Sequence, residues 1–354
     1  MNGWDREYLQ NKEVYLKLFD NIMSREQETN VDFLENNIKK VINRKYAVIV
    51  NSGTDALHFA LISHGIKPND EVLVSNFSWI STASCISMVG ATPVFCDVEL
   101  NTYHMCLDSI KKMCSNKTRA IIYPHLFGNM SYIKDILLFC KEKNIIFIED
   151  SCQALGSSLN DLKAGTIGDC STFSFNANKV IAGIAGGGAF LTDCEKKADI
   201  VKKLRRMGKN KDFELLGRNS KMLLFNAEVI NFRLQKLNEY KKQRQKIANF
   251  YNTSLKKLPI KIQSVSNDCD NVYQRYTIRL KDKKTRDFLC DRLKANIHYD
   301  KPLSENSMYK NIQYKSDDCK NAKTICDTIL SLPNHPWVTI DEQNKILNII
   351  EMSL

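Results

Sequence analysis

The chain has no CxxC pair and no Cys/His grouping at zinc spacing, although it carries 12 cysteines. The sequence therefore offers no metal site. The cysteines sit among hydrophobic residues, as in "FCDV" (95–98) and "LLFCKEK" (137–143). That is the placement of small core residues in a reducing compartment. No apolar run approaches the ~18 residues of a membrane span, and the first 30 residues are charged and carry no apolar signal segment. The expectation is a soluble, cytoplasmic protein. The sequence also lacks internal repeats, low-complexity tracts, C2H2 spacing and an RRM signature. The formal net charge of +11, from 51 Lys+Arg against 40 Asp+Glu, is dispersed; its densest patches are "KKLRRMGKNK" (202–211) and "EYKKQRQK" (239–246). A basic balance without a recognition motif gives no reason to expect a nucleic-acid partner.

What is present is alternation of two periods. Short apolar runs read as strands: "KYAVIV" (45–50), "EVLVS" (71–75), "TPVFCDV" (92–98), "RAIIYP" (119–124), "IIFIED" (145–150), "STFSF" (171–175) and "GAFLTD" (188–193). Between them lie amphipathic helical stretches such as "TDALHFALISHG" (54–65) and "MSYIKDILLFCKEKN" (130–144), with Gly65 and Asn144 placed as helix C-caps. This alternation predicts an α/β domain built on a mostly parallel, seven-stranded sheet flanked by helices. A long helical pattern follows over about 226–256, then an alternating strand (273–280), a helix (284–296) and a final helix. The expected organisation is a large α/β domain over 1–240 and a smaller α+β domain over 241–354.

Three stretches stand where such sheets bind ligands, at the carboxyl ends of strands. In "NSGTDAL" (51–57), Gly53 permits a tight turn, and Thr54 with the first helical N–H groups can hold an anion. A capped helix without a ligand explains the same residues. In "IIFIEDSCQALG", Glu149 and Asp150 close a strand and point to opposite sides; Asp150 is either a functional carboxylate or an N-cap. In "FSFNANKVIAGIAGGGAFLTD" (173–193), Lys179 precedes a glycine-rich run that lets the backbone pass close to something bulky. Taken alone, Lys179 is either a snorkelling surface lysine or an amine nucleophile with a lowered pKa. Together, an anion cradle, a strand-end aspartate and such a lysine are what pyridoxal phosphate (PLP) requires.

The ordered series "NSGTDALHFAL", "DEVLVSNFSWISTA", "GATPVFCDVELNTY", "KTRAIIYPHLFGN", "IIFIEDSCQALGS", "AGTIGDCSTFSFNANK", "GGGAFLTD", "GRNSKM", "RLQKLNEYKKQRQKIANFY" and "IHYDKPL" resembles the DegT-type nucleotide-sugar aminotransferases, a branch of the fold-type I PLP enzymes. The resemblance runs from about residue 30 to the C-terminus. It implies Lys179 as Schiff-base lysine and proton shuttle, and Asp150 as partner of the pyridine nitrogen. It further implies Gln153 on the ring hydroxyl oxygen, Trp79 stacked on the ring, and Gly53, Thr54 and Ser174 on the phosphate. Asn219 is implied to reach the cofactor phosphate of the other subunit, hence a homodimer with composite sites. His125, His298 and Tyr299 are candidates near the sugar nucleotide, with a core role equally open for both histidines. The implied activity moves an amino group from glutamate to a dTDP-linked 4-keto-6-deoxy sugar. A 3-keto isomer and a non-catalytic PLP-binding regulator are the alternatives. The pattern departs from the family at Gly186 (usually acidic), Lys221 (usually arginine) and Gln274 (often histidine), positions of amino-donor and sugar contact rather than of PLP binding. The first 30 residues lack the usual family opening.

Overall fold

The computed structural model describes residues 3–24 and 31–354. The expected strands form one large sheet. Its order is Tyr46–Val50, Gly188–Thr192, Cys170–Ser174, Ile146–Asp150, Thr118–Pro124, Glu71–Ser75, Thr92–Cys96 and Lys315–Ser316. Only Gly188–Thr192 runs antiparallel to its neighbours; the other pairings are parallel. The sheet has eight strands rather than seven because the two-residue Lys315–Ser316 strand pairs with the edge at Val94 and Phe95. No hydrophobic run in the sequence announces so short and exposed a strand.

Both faces of the sheet are buried, as crossover helices require. Side chains alternate accordingly. Val48, Val50, Val72, Val74, Ile122, Ile148 and Phe190 pack on one face, against helix Gly53–Ser63 and its neighbours. On the other face, Leu73, Val94, Ile121, Tyr123 and Phe147 form one cluster and Ala47, Ile49, Ala189 and Leu191 another. Gly65 and Asn144 follow their helices in the left-handed conformation, at φ +74° and +53°, as the C-cap expectation required.

The long helical pattern is two helices, Leu224–Gln235 and Leu237–Ser254, broken at Lys236 (φ −96°, ψ 7°). The expected domain division at 240/241 falls inside the second. That helix packs with Lys283–Leu293 and Ile340–Glu351 on a three-stranded antiparallel sheet of Lys261–Ile262, Tyr276–Arg279 and Ile329–Leu332. The C-terminal part also returns to the large sheet, where Leu303 and Tyr309 join the first core cluster. At the other end of the chain, Trp4–Gln10 and Lys12–Met23 are helices. They dock through Glu7, buried against Arg233, Tyr15 and Tyr240. No helix among the described residues is long and apolar enough to cross a membrane.

Candidate active site

The strand ends build the site. Register places Val50 and Ser174 on either side of Gly188, and Asp150 between Pro124 and Thr172. The turn before helix Gly53–Ser63, the last residue of the Cys170–Ser174 strand and the Gly187–Gly188 entry therefore converge. A cavity of about 460 Å³ opens there, lined by Gly53, Thr54, Trp79, Asp150, Gln153, Ser174, Lys179, Gly186, His298 and Tyr299 among others.

Ser52 caps the helix by accepting from Asp55 N–H at 3.0 Å. The capped-helix reading and the anion reading are thus compatible, because the cap uses a donor one residue beyond Thr54. A side chain at Gly53 would force its neighbours to move: its Cβ would lie 2.8 Å from Ser174 Cβ and 3.2 Å from Cys152 Sγ. Thr54 shares a hydrogen bond with Ser81 at 2.8 Å. The helix N-terminus, flanked by the Thr54 and Ser174 hydroxyls, could hold a phosphate.

Asp150 is buried and held from two sides. Oδ2 accepts from Thr82 Oγ1 at 2.9 Å, and Oδ1 accepts from Cys152 N–H at 3.2 Å. Glu149 points to the opposite side of the sheet. It accepts backbone N–H bonds from Gly165, Ile167 and Gly168 at 2.6–2.9 Å and pairs with His125 Nε2 at 2.9 Å. Burial opposes ionisation of Glu149, but these donors outweigh it and hold the carboxyl below its ordinary value. His125 is fully buried in that pair and absent from the cavity wall. The substrate expectation for His125 is therefore not met: its strand end is near the site, but its ring packs behind the sheet, beside Tyr123.

Lys179 lies on the cavity wall, and burial lowers its amine pKa. Cys152 and Asp150 partly counter this, and the positive charge of Arg275 adds to it. The Lys179 loop is fixed through its backbone. Gln274 Nε2 donates to Asn178 O at 2.7 Å, Trp4 Nε1 to Ala177 O at 2.5 Å, and Arg233 Nη1 to Ala182 O at 2.7 Å. The glycines beyond it divide into two kinds, which corrects the reading of the run as space for a bulky group. At Gly188 a Cβ would meet Ser52 O at 2.2 Å, and at Gly187 Met222 Cε at 2.4 Å. Those two admit the protein's own backbone and side chains. Gly186 alone faces open space, at φ +81°, and Asn226 pins its carbonyl at 2.8 Å.

Gln153 accepts from Phe127 N–H at 3.0 Å and donates from Nε2 to the Tyr299 hydroxyl at 2.9 Å; one Nε2 hydrogen remains for a ligand. Burial raises the Tyr299 pKa to about 12. His298 meets Ser331 Oγ at 3.0 Å. Burial first, then Arg275 and Lys179, lower it to about 3, so it is a neutral imidazole. Trp79 is 56% exposed, with its ring 6.2 Å from that of Tyr299. Asn219 is exposed and outside this chain's own cavity. Cys152 and Arg275 are among the wall residues that escaped sequence reasoning. Cys152 follows Asp150 by two positions, and burial pushes its thiol well above its ordinary pKa, so it stays protonated. Arg275 is adjacent to Gln274, the residue the sequence singled out.

These residues fit pyridoxal phosphate part by part: a helix end that could hold its phosphate, a buried carboxylate that could meet its ring nitrogen, an exposed indole, and an amine of lowered pKa. Fold and site together define a fold-type I aminotransferase scaffold. The sequence model of the DegT/DnrJ/EryC1/StrS aminotransferase family matches residues 12–351, and the chain belongs to that family. It is similar to the "Pleiotropic regulatory protein" of Geobacillus stearothermophilus, at 27% identity over 97% of this chain and 95% of that protein. It is likewise similar to the dTDP-3-amino-3,6-dideoxy-alpha-D-galactopyranose transaminase of Aneurinibacillus thermoaerophilus, at 28% identity over 90% of this chain and 89% of the relative. Among solved structures, a DegT DnrJ EryC1 StrS aminotransferase from Brucella abortus superposes with a TM-score of 0.91 at 25% identity, covering 99% of this chain and 98% of its own.

Proposed function

We propose that this protein is a PLP-dependent aminotransferase that carries an amino group from glutamate to the C4 keto carbon of a dTDP-linked 4-keto-6-deoxy sugar. The observation that carries the reading is one cavity holding Asp150, Lys179 and the Gly53–Thr54–Ser174 cradle. When bound, pyridoxal phosphate supplies an electron sink that makes the C–H bond beside nitrogen labile. Asp150 would keep the ring nitrogen protonated, its carboxylate fixed by Thr82 and Cys152. Lys179 would hold the cofactor and, once released, pass a proton between cofactor and substrate carbons; its lowered pKa suits a base working near neutral pH. Neutral His298 and the Tyr299 hydroxyl would meet the sugar. Asn219 would complete the partner's site in a homodimer. Its segment exposes Phe213, Leu216 and Leu223, with Leu216 95% exposed, and apolar surface of that kind calls for a covering partner.

The test begins with purified protein and PLP. Wild type should show a visible absorbance band and, after borohydride, a cofactor adduct on Lys179, and should sediment as a dimer; Lys179→Ala should lose band and adduct. Absence of an adduct on wild-type Lys179 sinks the reading. A panel of dTDP-, UDP- and GDP-linked 3- and 4-ketosugars with glutamate, read by NMR, then assigns base and position. Amination at C3 is the second reading, favoured by the name of the Aneurinibacillus relative. Lysine adduct without turnover on any sugar would favour a regulator, as the name of the Geobacillus relative suggests.

A further inference from the structure

Most of the arginines drawn into this fold are paired. Arg44, Arg205, Arg218, Arg233 and Arg286 each meet a carboxylate, and Arg244 donates to the Gln274 and Asn334 carbonyls. Such pairing is what burial of a guanidinium demands. Arg279, buried beside Tyr103, leaves its Nε without a partner but lies outside the cavity; Arg275 is the arginine of the cavity wall. Among the described residues no carboxylate lies within ion-pair distance of it, and its side chain makes no hydrogen bond. Burial lowers its pKa, and the one group acting in the other direction is the Tyr299 phenol. It stands in the electrostatic range of Lys179, His298 and Tyr299. The phosphate cradle is built from other residues, Gly53, Thr54 and Ser174, and Asp150 is engaged by Thr82 and Cys152. A planar fork open to a cavity beside a catalytic amine lacks one thing, a planar anion.

We propose that Arg275 is the carboxylate receptor of the site, pairing fork to fork with a carboxylate of the amino-acid donor while the donor's amino group reaches the position held by Lys179. The inference rests on the aminotransferase reading above. A carboxylate could also arrive on the sugar, as in a hexuronate, so the donor and sugar half-reactions must be read apart.

The experiment uses PLP-loaded wild type, Arg275→Gln and Arg275→Lys, with the Lys179 adduct and thermal midpoint confirming that each variant is folded and loaded. Glutarate, a dicarboxylate with no amine to transfer, is titrated in by calorimetry and by the visible band. Arg275→Gln should weaken its binding roughly tenfold to a hundredfold, as expected for a charge-assisted pair. Arg275→Lys, which keeps the charge and loses the fork, should fall between. The glutamate half-reaction should show the same rise in half-saturating concentration, while the ketosugar half-reaction from the aminated cofactor should keep its own. Wild-type affinity for glutarate in Arg275→Gln overturns the proposal. A loss confined to the ketosugar half-reaction overturns the donor assignment and moves the carboxylate to the sugar. Failure of wild type to form the Lys179 adduct is a different result, and it removes the underlying reading.

Discussion

At the residue scale, the glycine run after Lys179 shows how one composition serves two purposes. Gly188 is fixed by backbone: its Cβ would sit 2.2 Å from Ser52 O and 2.7 Å from Gly53 N. Neither atom can retreat without opening the turn that forms the phosphate cradle. Gly188→Ala should therefore cost about 3 kcal/mol, the upper range for forced overpacking, and should weaken PLP binding as well. Gly186→Ala meets no atom and carries only the left-handed penalty of its φ of +81°, about 1 to 2 kcal/mol. Urea midpoints and PLP titrations of the two variants check the contrast. Equal losses would mean that the Ser52–Gly188 approach does not shape the site. An acidic side chain at 186 would project into open space at the cavity wall, which glycine leaves clear.

At the element scale, what was legible in the sequence is what depends on near neighbours. Strand and helix periods, the C-caps at Gly65 and Asn144, and the opposite facing of Glu149 and Asp150 are local consequences of backbone geometry. They put Asp150, Lys179 and the Gly53 turn at the carboxyl ends of neighbouring strands. The break at Lys236 was not legible, because Gln235, Lys236 and Leu237 are all good helix formers. The burial of His125 and the place of Arg275 were not legible because their surroundings come from distant chain: Glu149 lies 24 residues from His125, and Arg275 shares the cavity wall with Gln153 and Lys179. The N-terminal helices are the extreme case. Glu7 receives Arg233 Nη2 at 3.0 Å and the Tyr15 hydroxyl at 2.6 Å. The same guanidinium lies 4.1 Å from the centre of the Trp4 ring and donates to Ala182 O, so the helix end is tied to the Lys179 loop. Glu7→Gln keeps the shape and leaves a buried guanidinium uncompensated. It should cost about 3 to 5 kcal/mol and raise the PLP concentration needed to fill the site. A variant with an unchanged thermal midpoint would show that the Glu7–Arg233 pair contributes nothing to stability.

At the scale of the whole molecule, acid is the informative stress. Burial, first among the causes in each case, lowers His58, His104 and His335 to about 4 and His298 to about 3. In the unfolded chain a histidine titrates near 6.5. Between about pH 6.5 and 4 the unfolded state thus binds protons that the folded state refuses, and stability falls as pH falls. Each such histidine contributes about 1.4 kcal/mol per pH unit in the middle of that window. The carboxylates act lower. Glu342, held near 2 by Arg6, gives stability that is present above its ordinary value and lost only as pH drops toward 2. The thermal midpoint should therefore decline steeply from pH 7 to 5, before the paired carboxylates titrate. His104 offers the cleanest control, since it is buried away from the cavity and bonded at Nε2 to Asn129 O at 3.2 Å. His104→Gln should lower stability at pH 7 and flatten the pH slope near 5 by roughly a fifth, one of five groups once His64, likewise lowered by burial, is counted. A midpoint that stays level between pH 7 and 5 would mean that these histidines are not held neutral by the fold.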